Sequence, residues 1–302
     1  MLLAHFLKQG IEALEPLYPT AEARSIVLLL CEEIVGTKSY THIVEPQYQI
    51  DAKWEQPLSQ ALARLEAGEP IQYVTGKSEF CGRTFHVTPD VLIPRPETEL
   101  LVRDAVKLAD MTRRMRIPFG KQATPVRVLD LCTGSGCIAW SVALAVPGSH
   151  VVGVDISDKA LEVARNQNFS QEIKATGAIA PTFVKADVLE SEEEFHYDYG
   201  EFDLILSNPP YVMEKEKASM RRNVLDFEPA QALFVPDDDP LLFYRSIARW
   251  SRRFLAPEGK GLTEINETLG KETLEVFRAQ GFSQSEIVAD FYDKNRFVFY
   301  MR

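Results

Sequence analysis

A glycine-rich segment is the first part of this sequence whose residue types and spacing suit chemistry. It reads Asp130-Leu131-Cys132-Thr133-Gly134-Ser135-Gly136 and stands between a short apolar run and a helical pattern. Small residues at such a turn let the backbone approach a ligand closely. A dinucleotide fingerprint would place a third glycine three residues after Gly136, where Ala139 stands, so a nicotinamide ligand is disfavoured but stays open. Asp130 favours a different ligand, because its carboxylate would repel a pyrophosphate and attract the ammonium of a methionine moiety.

Two more carboxylates end the next apolar runs of the chain. Asp155 stands 19 residues after Gly136 and could accept hydrogen bonds from both hydroxyls of a ribose. Asp187 ends the following run and could accept one from the amino group of an adenine. Either residue alone could simply cap the segment that follows it. Together with the glycine-rich segment, the three carboxylates fall where open α/β sheets bind ligands, which predicts a site for S-adenosylmethionine.

The tetrapeptide Asn208-Pro209-Pro210-Tyr211 is the second candidate for chemistry, and it follows an apolar run. Two prolines stop a strand and stiffen the backbone, which leaves the Pro209 carbonyl free to face a pocket. That carbonyl and the Asn208 side-chain oxygen could each accept an N–H from a planar amide or amine, and Tyr211 could stack on its flat face. Such a grip suits methyl transfer to a weakly nucleophilic nitrogen. For such a nitrogen, alignment with the methyl group contributes most to the rate, and the carbonyl acceptors stabilise the positive charge that develops on it.

Three parts of the chain, distinguished by their patterns, must position these residues. Residues 1–70 carry apolar side chains at three- and four-residue intervals and a helix stop at Gly68, which predicts a small helical domain. Residues 71–94 change to a β connector with a short hairpin. The segment Pro94-Arg95-Pro96-Glu97-Thr98-Glu99 then predicts a helix start, at the entrance to a third part that spans residues 95–302.

The third part alternates apolar strands with helices. A basic, turn-rich linker from Arg113 to Lys121 leads to Pro125 and into this alternation. The last two strands, near residues 285–290 and 296–300, have no helix between them. The pattern predicts an α/β fold with a doubly wound, Rossmann-like sheet, mostly parallel, that closes with an antiparallel hairpin.

The overall composition limits the class of protein. The 302 residues carry a formal net charge of −11, which disfavours nucleic acid as a tightly held partner. Four cysteines without a Cys-x-x-Cys pair and five scattered histidines predict neither a metal site nor a disulfide framework. The N-terminus lacks a signal-peptide pattern, and the apolar run at residues 26–31 is far too short to span a bilayer. We expect a cytoplasmic monomer without membrane contact.

These segments together resemble the HemK/PrmC-type protein-(glutamine-N5) methyltransferases. The resemblance runs over nearly the whole chain and is most specific in the combination of Pro94–Glu99 with Asn208–Tyr211. It also includes the connector Gly76-Lys77-Ser78-Glu79-Phe80 and the segment Leu129–Gly136. It implies a class I methyltransferase fold with an N-terminal helical substrate-recognition domain, and S-adenosylmethionine as the cofactor. The implied substrate is the glutamine of the Gly-Gly-Gln motif in peptide chain release factors, hence a role in translation termination.

The resemblance also implies roles for particular residues. Pro94–Glu99 would line the same cleft as the tetrapeptide. The family usually has glycine where this chain has Cys132, which is small enough if its φ is negative, and Val188 stands where some relatives stack an aromatic ring on adenine. The implied cofactor contacts are Asp130, Cys132, Thr133, Gly134, Ser135, Gly136, Asp155, Asp187, Val188 and Asn208. The implied substrate contacts are Asn208, Pro209, Pro210 and Tyr211.

Three other functions remain open on the sequence. The tetrapeptide alone is shared with adenine-N6 DNA methyltransferases and some RNA enzymes, so a nucleic-acid base (adenine-N6 or guanine-N2) methyltransferase that flips out its base is the main alternative. The acidic balance disfavours it. A binding module without activity is disfavoured because Asp130, Asp155 and Asn208 are all present. A nicotinamide oxidoreductase is disfavoured by Asp130 and by the imperfect glycine spacing.

Overall fold

The computed structural model describes residues 1–116, 124–190, 192, 195 and 200–302. Of the linker predicted from Arg113 to Lys121, Arg113 and Arg114 instead belong to a helix that runs to Met115, and residues 117–121 lie outside these described residues. Within them, the helices in chain order are α1 (Leu3–Leu14), α2 (Thr20–Val35), α3 (Thr41–Val44), α4 (Ala52–Glu66), α5 (Ile71–Thr75), α6 (Thr98–Met115), α7 (Cys137–Ala145), α8 (Asp158–Arg165), α9 (Ser170–Thr176), α10 (Arg222–Phe227), α11 (Leu242–Phe254) and α12 (Gly270–Ala279). The strands are β1 (Lys77–Phe80), β2 (Arg83–His86), β3 (Arg127–Leu131), β4 (His150–Asp155), β5 (Thr182–Lys185), β6 (Phe202–Ser207), β7 (Val212–Met213), β8 (Phe234–Val235), β9 (Leu255–Glu264), β10 (Gln284–Ala289) and β11 (Asn295–Met301).

These elements form two compact units. The first comprises Met1–Lys77 and Met220–Glu228, and the second comprises Ser78–Ser219 and Pro229–Arg302. The first unit extends past residue 70 to Lys77 and includes a segment from much later in the chain. The domain boundaries expected at residues 70 and 94 remain predictions.

The first unit is helical, as its apolar spacing predicts. Its core is built from fully buried side chains of α1, α2 and α4: Leu14, Val27, Leu30, Leu58 and Leu65. The helix stop predicted at Gly68 is confirmed, since this glycine follows α4 with a φ of +93°. Two details differ from the expectation. The apolar spacing predicts a helix from Pro57 to Ala67, whereas α4 begins at Ala52, and Ile71–Thr75 form a helix rather than part of the β connector.

The second unit is built around a seven-stranded sheet in the order β10-β11-β9-β6-β3-β4-β5. The five strands from β9 to β5 are parallel, whereas β11 runs antiparallel to both β9 and β10. The expected Rossmann-like sheet with one antiparallel strand in a C-terminal hairpin is therefore confirmed. The short helix α9 was not predicted, because it buries no residue and so shows no apolar periodicity.

The order of the strands brings the candidate residues to one edge of the sheet. From β3 the chain runs outward through β4 to β5 and then returns to β6 on the other side, which makes the gap between β3 and β6 a topological switch point. Leu131 at the end of β3 pairs with Val154 on β4 and with Ser207 on β6. The segments that follow these three strands therefore lie side by side.

Both faces of the sheet are covered by buried apolar clusters. The paired residues Val128 and Leu204 belong to one cluster, and their neighbours Leu129 and Ile205 belong to the other. Strands buried on both faces appear in sequence as continuous apolar runs, which explains why their positions could be predicted closely. Among the described residues, no helix is both long and apolar enough to cross a membrane.

Candidate active site

A cavity of about 320 Å³ opens in the second unit at the carboxyl ends of the parallel strands. The sequence-predicted residues that line it are Cys132, Thr133, Gly134, Ser135, Asp155, Asp187, Val188, Asn208 and Pro210. Pro94, Arg95 and Thr98 line it as well, so the segment before α6 does reach the same cleft as the tetrapeptide. Asp130, Gly136, Pro209 and Tyr211 are not among the described residues that line this cavity.

The glycine-rich segment forms a tight turn between β3 and α7. Gly134 and Gly136 have φ angles of +55° and +77°, which glycine adopts without steric cost. A Cβ at Gly136 would stand 3.0 Å from atoms of Ala164 and Phe183, whereas one at Gly134 would meet nothing within 4 Å. Gly136 thus packs the turn against the core, and Gly134 leaves open space where it lines the cavity.

The backbone at Cys132 corrects the expectation for that residue. Its φ is +62°, in the left-handed region, whereas cysteine was expected to be tolerated there on the condition of a negative φ. A residue with a Cβ pays about 1–2 kcal/mol in this conformation. The position therefore favours glycine, and the cysteine is strained. Burial raises the pKa of its thiol well above the usual range, so the side chain stays neutral beside the acidic groups of the site.

Asp130 supports the turn from within the core. Its side chain is fully buried, and Oδ2 accepts hydrogen bonds from the Thr133 hydroxyl at 2.5 Å and from the Ala139 backbone N–H at 3.2 Å. Its Oδ1 has no partner among the described residues. Burial raises the pKa of this carboxyl to about 7, and the nearby charge of Asp155 adds to that rise. Asp130 therefore ties the turn to the start of α7.

Asp155 offers its carboxylate to the cavity at the end of β4. Oδ2 accepts the Gly134 backbone N–H at 2.9 Å, and Oδ1 accepts the Ser157 backbone N–H at 3.0 Å. Each carboxylate oxygen has a further lone pair, so both can accept a hydroxyl from a ligand. Burial raises the pKa of Asp155, and the backbone N–H groups act in the opposite direction.

Asp187 lies at the cavity beyond β5, beside the buried side chain of Val188. Its Oδ1 accepts the Leu189 backbone N–H at 2.8 Å, which fixes the carboxylate relative to the loop. Ile156, which sequence analysis left without a role, is an exposed apolar residue that lines the same cavity. Together they form a region with apolar walls and an acceptor, which suits a heteroaromatic ring with an amino group.

Asn208 has a defined side-chain orientation at the end of β6. Its Nδ2 donates to the Thr98 hydroxyl oxygen at 3.1 Å, and the Thr98 hydroxyl in turn donates to Oε2 of Glu264 at 2.7 Å. The Asn208 amide nitrogen is thus engaged on the protein side, which leaves its Oδ1 as an acceptor at the cavity.

Tyr211 is held on two sides. Its hydroxyl donates to Oε1 of Glu264 at 3.0 Å, and its backbone carbonyl accepts from Nδ2 of Asn266 at 3.2 Å. Burial raises the pKa of this phenol well above its usual range, and the adjacent Glu264 carboxylate adds to that rise. In the structure the Tyr211 ring packs against the buried cluster that contains Leu129 and Ile205. Its stacking on a substrate stays a prediction.

Two supporting residues escaped sequence analysis. Gln167 is buried and binds both backbone groups of His86, with its Oε1 2.9 Å from the N–H nitrogen and its Nε2 2.8 Å from the carbonyl oxygen, while Nε2 also reaches the Ser135 carbonyl at 3.2 Å. No sequence signal marks it. Glu264 had a signal, because it is an acidic residue at the carboxyl end of an apolar run, like Asp130, Asp155 and Asp187. Within the described part of the chain, no group of three His, Cys, Asp or Glu side chains is arranged to hold a metal ion.

Comparison with known proteins gives full-length relatives. Residues 5–76 match the PrmC N-terminal domain family, and residues 115–231 match the methyltransferase small domain family. A release factor glutamine methyltransferase of Bacteroides thetaiotaomicron is 38% identical over 287 residues, which is 95% of both chains. One of Flavobacterium psychrophilum is 36% identical and covers 99% of this chain and 98% of its own.

One solved structure is also similar in sequence. It is a release factor-specific protein-(glutamine-N5) methyltransferase from Alicyclobacillus acidocaldarius, and it is 28% identical, with a TM-score of 0.40. The match covers 72% of this chain and 99% of that one.

Proposed function

The chain belongs to the family of release factor glutamine methyltransferases, and on that premise we propose the reaction that it catalyses. It transfers the methyl group of S-adenosylmethionine to the side-chain amide nitrogen of the glutamine in the Gly-Gly-Gln motif of a peptide chain release factor. Two relatives that bear the release factor name match it over at least 95% of both chains.

One observation carries this proposal more than any other. Asn208 lines the same cavity as the glycine-rich turn, and its amide nitrogen is engaged by Thr98. The free Oδ1 can therefore accept an N–H from a substrate amide beside the cofactor region. An amide nitrogen that is held by an acceptor, rather than by a donor, keeps its lone pair available for the methyl group.

The residues of the cavity fit S-adenosylmethionine. Asp155 has free lone pairs for the two ribose hydroxyls, and Asp187 has one for the adenine amino group, with Ile156 and Val188 as apolar contacts. Gly134 leaves space for close approach of the methionine part. Oδ1 of the buried Asp130 has no partner among the described residues, and the ionised form of this carboxyl would favour a cation near the turn. When bound, the cofactor supplies an electrophilic methyl group on a sulfonium.

Alignment is the main contribution of the protein to the reaction. The amide nitrogen of glutamine is a poor nucleophile because its lone pair is delocalised, so it must be held at near-attack distance. We propose that Asn208 Oδ1 and the Pro209 carbonyl each accept one N–H of this amide. The partial negative charges of these oxygens also stabilise the positive charge that develops on nitrogen, and the proton that the nitrogen then loses passes to solvent. Pro210 stiffens the backbone that presents them.

The other expectations from sequence belong to the same proposal. The helical first unit assists in recognising the release factor, and the enzyme acts as a monomer in the cytoplasm without contact to nucleic acid or membrane. The net charge of −11 supports the exclusion of nucleic acid. The proposed methyl transfer does not depend on the oligomeric state, the location or the further partners of the enzyme.

Label transfer tests the proposed function against its main alternative. The enzyme is incubated with S-adenosylmethionine labelled in the methyl group, and separately with intact release factor, ribosomal RNA, transfer RNA and DNA. We expect label in the release factor and background label in every nucleic acid. Label that enters adenine or guanine bases while the release factor stays unlabelled would overturn the proposal.

A further inference from the structure

Glu264 is a buried carboxylate, and both of its oxygens bind parts of the active site. It ends β9 with only 1% of its surface exposed. Oε2 accepts the Thr98 hydroxyl proton, and Oε1 accepts the Tyr211 hydroxyl proton. A buried charge is costly unless its oxygens are satisfied, so these two hydrogen bonds are a condition for keeping a carboxylate here.

The direction of each hydrogen bond follows from the chemistry of the groups. Burial raises the pKa of Glu264, whereas the hydrogen bonds from Thr98 and Tyr211 lower it. While Glu264 is ionised its carboxylate can only accept, so Thr98 donates its single proton to it. The Thr98 oxygen is then left with lone pairs alone, facing Asn208 at 3.1 Å. Only the NH₂ end of the Asn208 amide can approach such an oxygen favourably. The opposite orientation would place the amide oxygen against the Thr98 oxygen, with no proton between them.

We propose that Thr98 and Glu264 are positioning residues that fix the orientation of the Asn208 amide and thereby present its oxygen to the substrate. The proposal rests on the methyl-transfer function above and adds residues that act through Asn208 rather than touching the methyl group. The same carboxylate also holds the hydroxyl of Tyr211, so one buried group orders both ends of the tetrapeptide.

This arrangement gives a reason for the unusual start of α6. The two prolines before Thr98 restrict the chain where it enters the helix, and Thr98 itself is only 2% exposed as the first residue of α6. A hydroxyl on a rigid helix start is placed more exactly than one on a mobile loop. The segment Pro94–Glu99 therefore acts through Thr98, whose hydroxyl lies between Glu264 at the end of β9 and Asn208 after β6.

Steady-state kinetics with intact release factor, combined with calorimetry for S-adenosylmethionine, tests this role. Thr98→Val removes the hydroxyl and keeps the shape. We expect kcat to fall about 10- to 100-fold, with the KM for release factor and the cofactor Kd both within about threefold of wild type. Thr98→Ser restores the hydroxyl and should recover most of the lost kcat. The matched control is Thr273→Val, another buried threonine, whose hydroxyl has no partner among the described residues; it should leave kcat unchanged.

A second variant guards against misfolding of the first. In Glu264→Met, neither Thr98 nor Tyr211 keeps its carboxylate acceptor, so the Thr98 hydroxyl can turn its proton towards Asn208. We expect kcat to fall again while cofactor binding persists. If Thr98→Val fails to bind cofactor, Glu264→Met decides the question by the same criterion.

The outcomes separate the inference from the function on which it rests. Wild-type kcat in a Thr98→Val or Glu264→Met enzyme that binds cofactor normally overturns the positioning role and leaves the proposed function intact. The role is also overturned if Thr98→Ser is as slow as Thr98→Val, because the hydroxyl is then not the group that matters. If wild-type enzyme methylates no release factor under any condition, the proposed function fails and the inference fails with it.

Discussion

The side-chain amide nitrogen of Asn208 lies 3.1 Å from the hydroxyl oxygen of Thr98, although 110 positions separate the two residues in the chain. This contact joins the start of α6 to the end of β6. It connects the two most distinctive segments of the sequence, Pro94–Glu99 and Asn208–Tyr211, into one arrangement at the cavity.

Asp155→Asn should weaken binding of S-adenosylmethionine. The substitution replaces one carboxylate oxygen by a donor, so one ribose hydroxyl loses its charged acceptor. A hydrogen bond to a charged group contributes about 1.5–3 kcal/mol, so the Kd measured by calorimetry should rise about 10- to 100-fold. The control is Asp158→Asn, an exposed carboxylate three residues further on, which pairs with Lys185 and should leave the Kd unchanged. Equal Kd values for wild type and Asp155→Asn would remove Asp155 from the cofactor site.

Cys132→Gly should be more stable than Cys132→Ala. Both variants lose the thiol, but only glycine removes the Cβ that is strained at a φ of +62°. The strain costs about 1–2 kcal/mol, and the greater freedom of glycine in the unfolded chain offsets part of it. We expect a difference of about 1 kcal/mol in the free energy of unfolding, measured in urea. An alanine variant that equals or exceeds the glycine variant in stability would show that the left-handed backbone is not strained.

Asp130 should make the protein less stable as the pH rises from about 4 to about 7. Its pKa is raised to about 7 in the folded state by burial, whereas the carboxyl of an unfolded chain titrates near 3.8. Between these values the folded state holds a proton that the unfolded state has released, so stability falls with rising pH.

A comparison with Asp130→Asn isolates this effect, because the amide does not titrate. The free energy of unfolding of wild type minus that of Asp130→Asn should decrease through this pH window by a few kcal/mol and level off above it. A difference that is flat between pH 4 and pH 7 would mean that Asp130 ionises normally despite its burial.

Gln167→Leu should weaken the attachment of the glycine-rich turn to β2. The buried amide binds the His86 N–H, the His86 carbonyl and the Ser135 carbonyl, and an isosteric apolar side chain replaces none of these bonds. We expect a loss of about 2 kcal/mol in the free energy of unfolding and weaker cofactor binding, since Ser135 lines the cavity. The neighbour Asn166 is exposed, and Asn166→Ala should change stability by less than about 0.5 kcal/mol. A Gln167→Leu protein as stable as Asn166→Ala would contradict the role of this bridge.

Much of the fold could be predicted because burial leaves a direct trace in the sequence. Strand β6 is buried along its whole length, with the apolar run Leu204–Leu206 at its centre, and Pro209 and Pro210 follow it. Its position could therefore be predicted from the apolar run and from the prolines that end it. Helix α9 leaves no such trace, because none of its residues is buried. The apolar pattern predicts a strand only at residues 261–265, whereas β9 begins at Leu255, because Glu258 and Gly259 interrupt the pattern.

The site could be predicted only as far as local signals reach. Glycines and acidic residues at strand ends mark Gly134, Asp155 and Asp187, and all three line the cavity. The positive φ of Cys132 has no signal in its own residue type, and the glycine usual in relatives was its only indication. Gln167 acts through contacts across 81 and 32 positions. Contacts of that range depend on the completed fold rather than on spacing in the chain.

Mass spectrometry of the release factor is the most direct test of the proposed function. Release factor is incubated with the enzyme and S-adenosylmethionine, digested, and the peptide that contains its Gly-Gly-Gln motif is sequenced by fragmentation. We predict a mass gain of one methyl group on the glutamine side chain with wild-type enzyme, and no gain with Asn208→Ala at the same enzyme concentration and time. An unmodified glutamine with wild-type enzyme, or full methylation with Asn208→Ala, would contradict it.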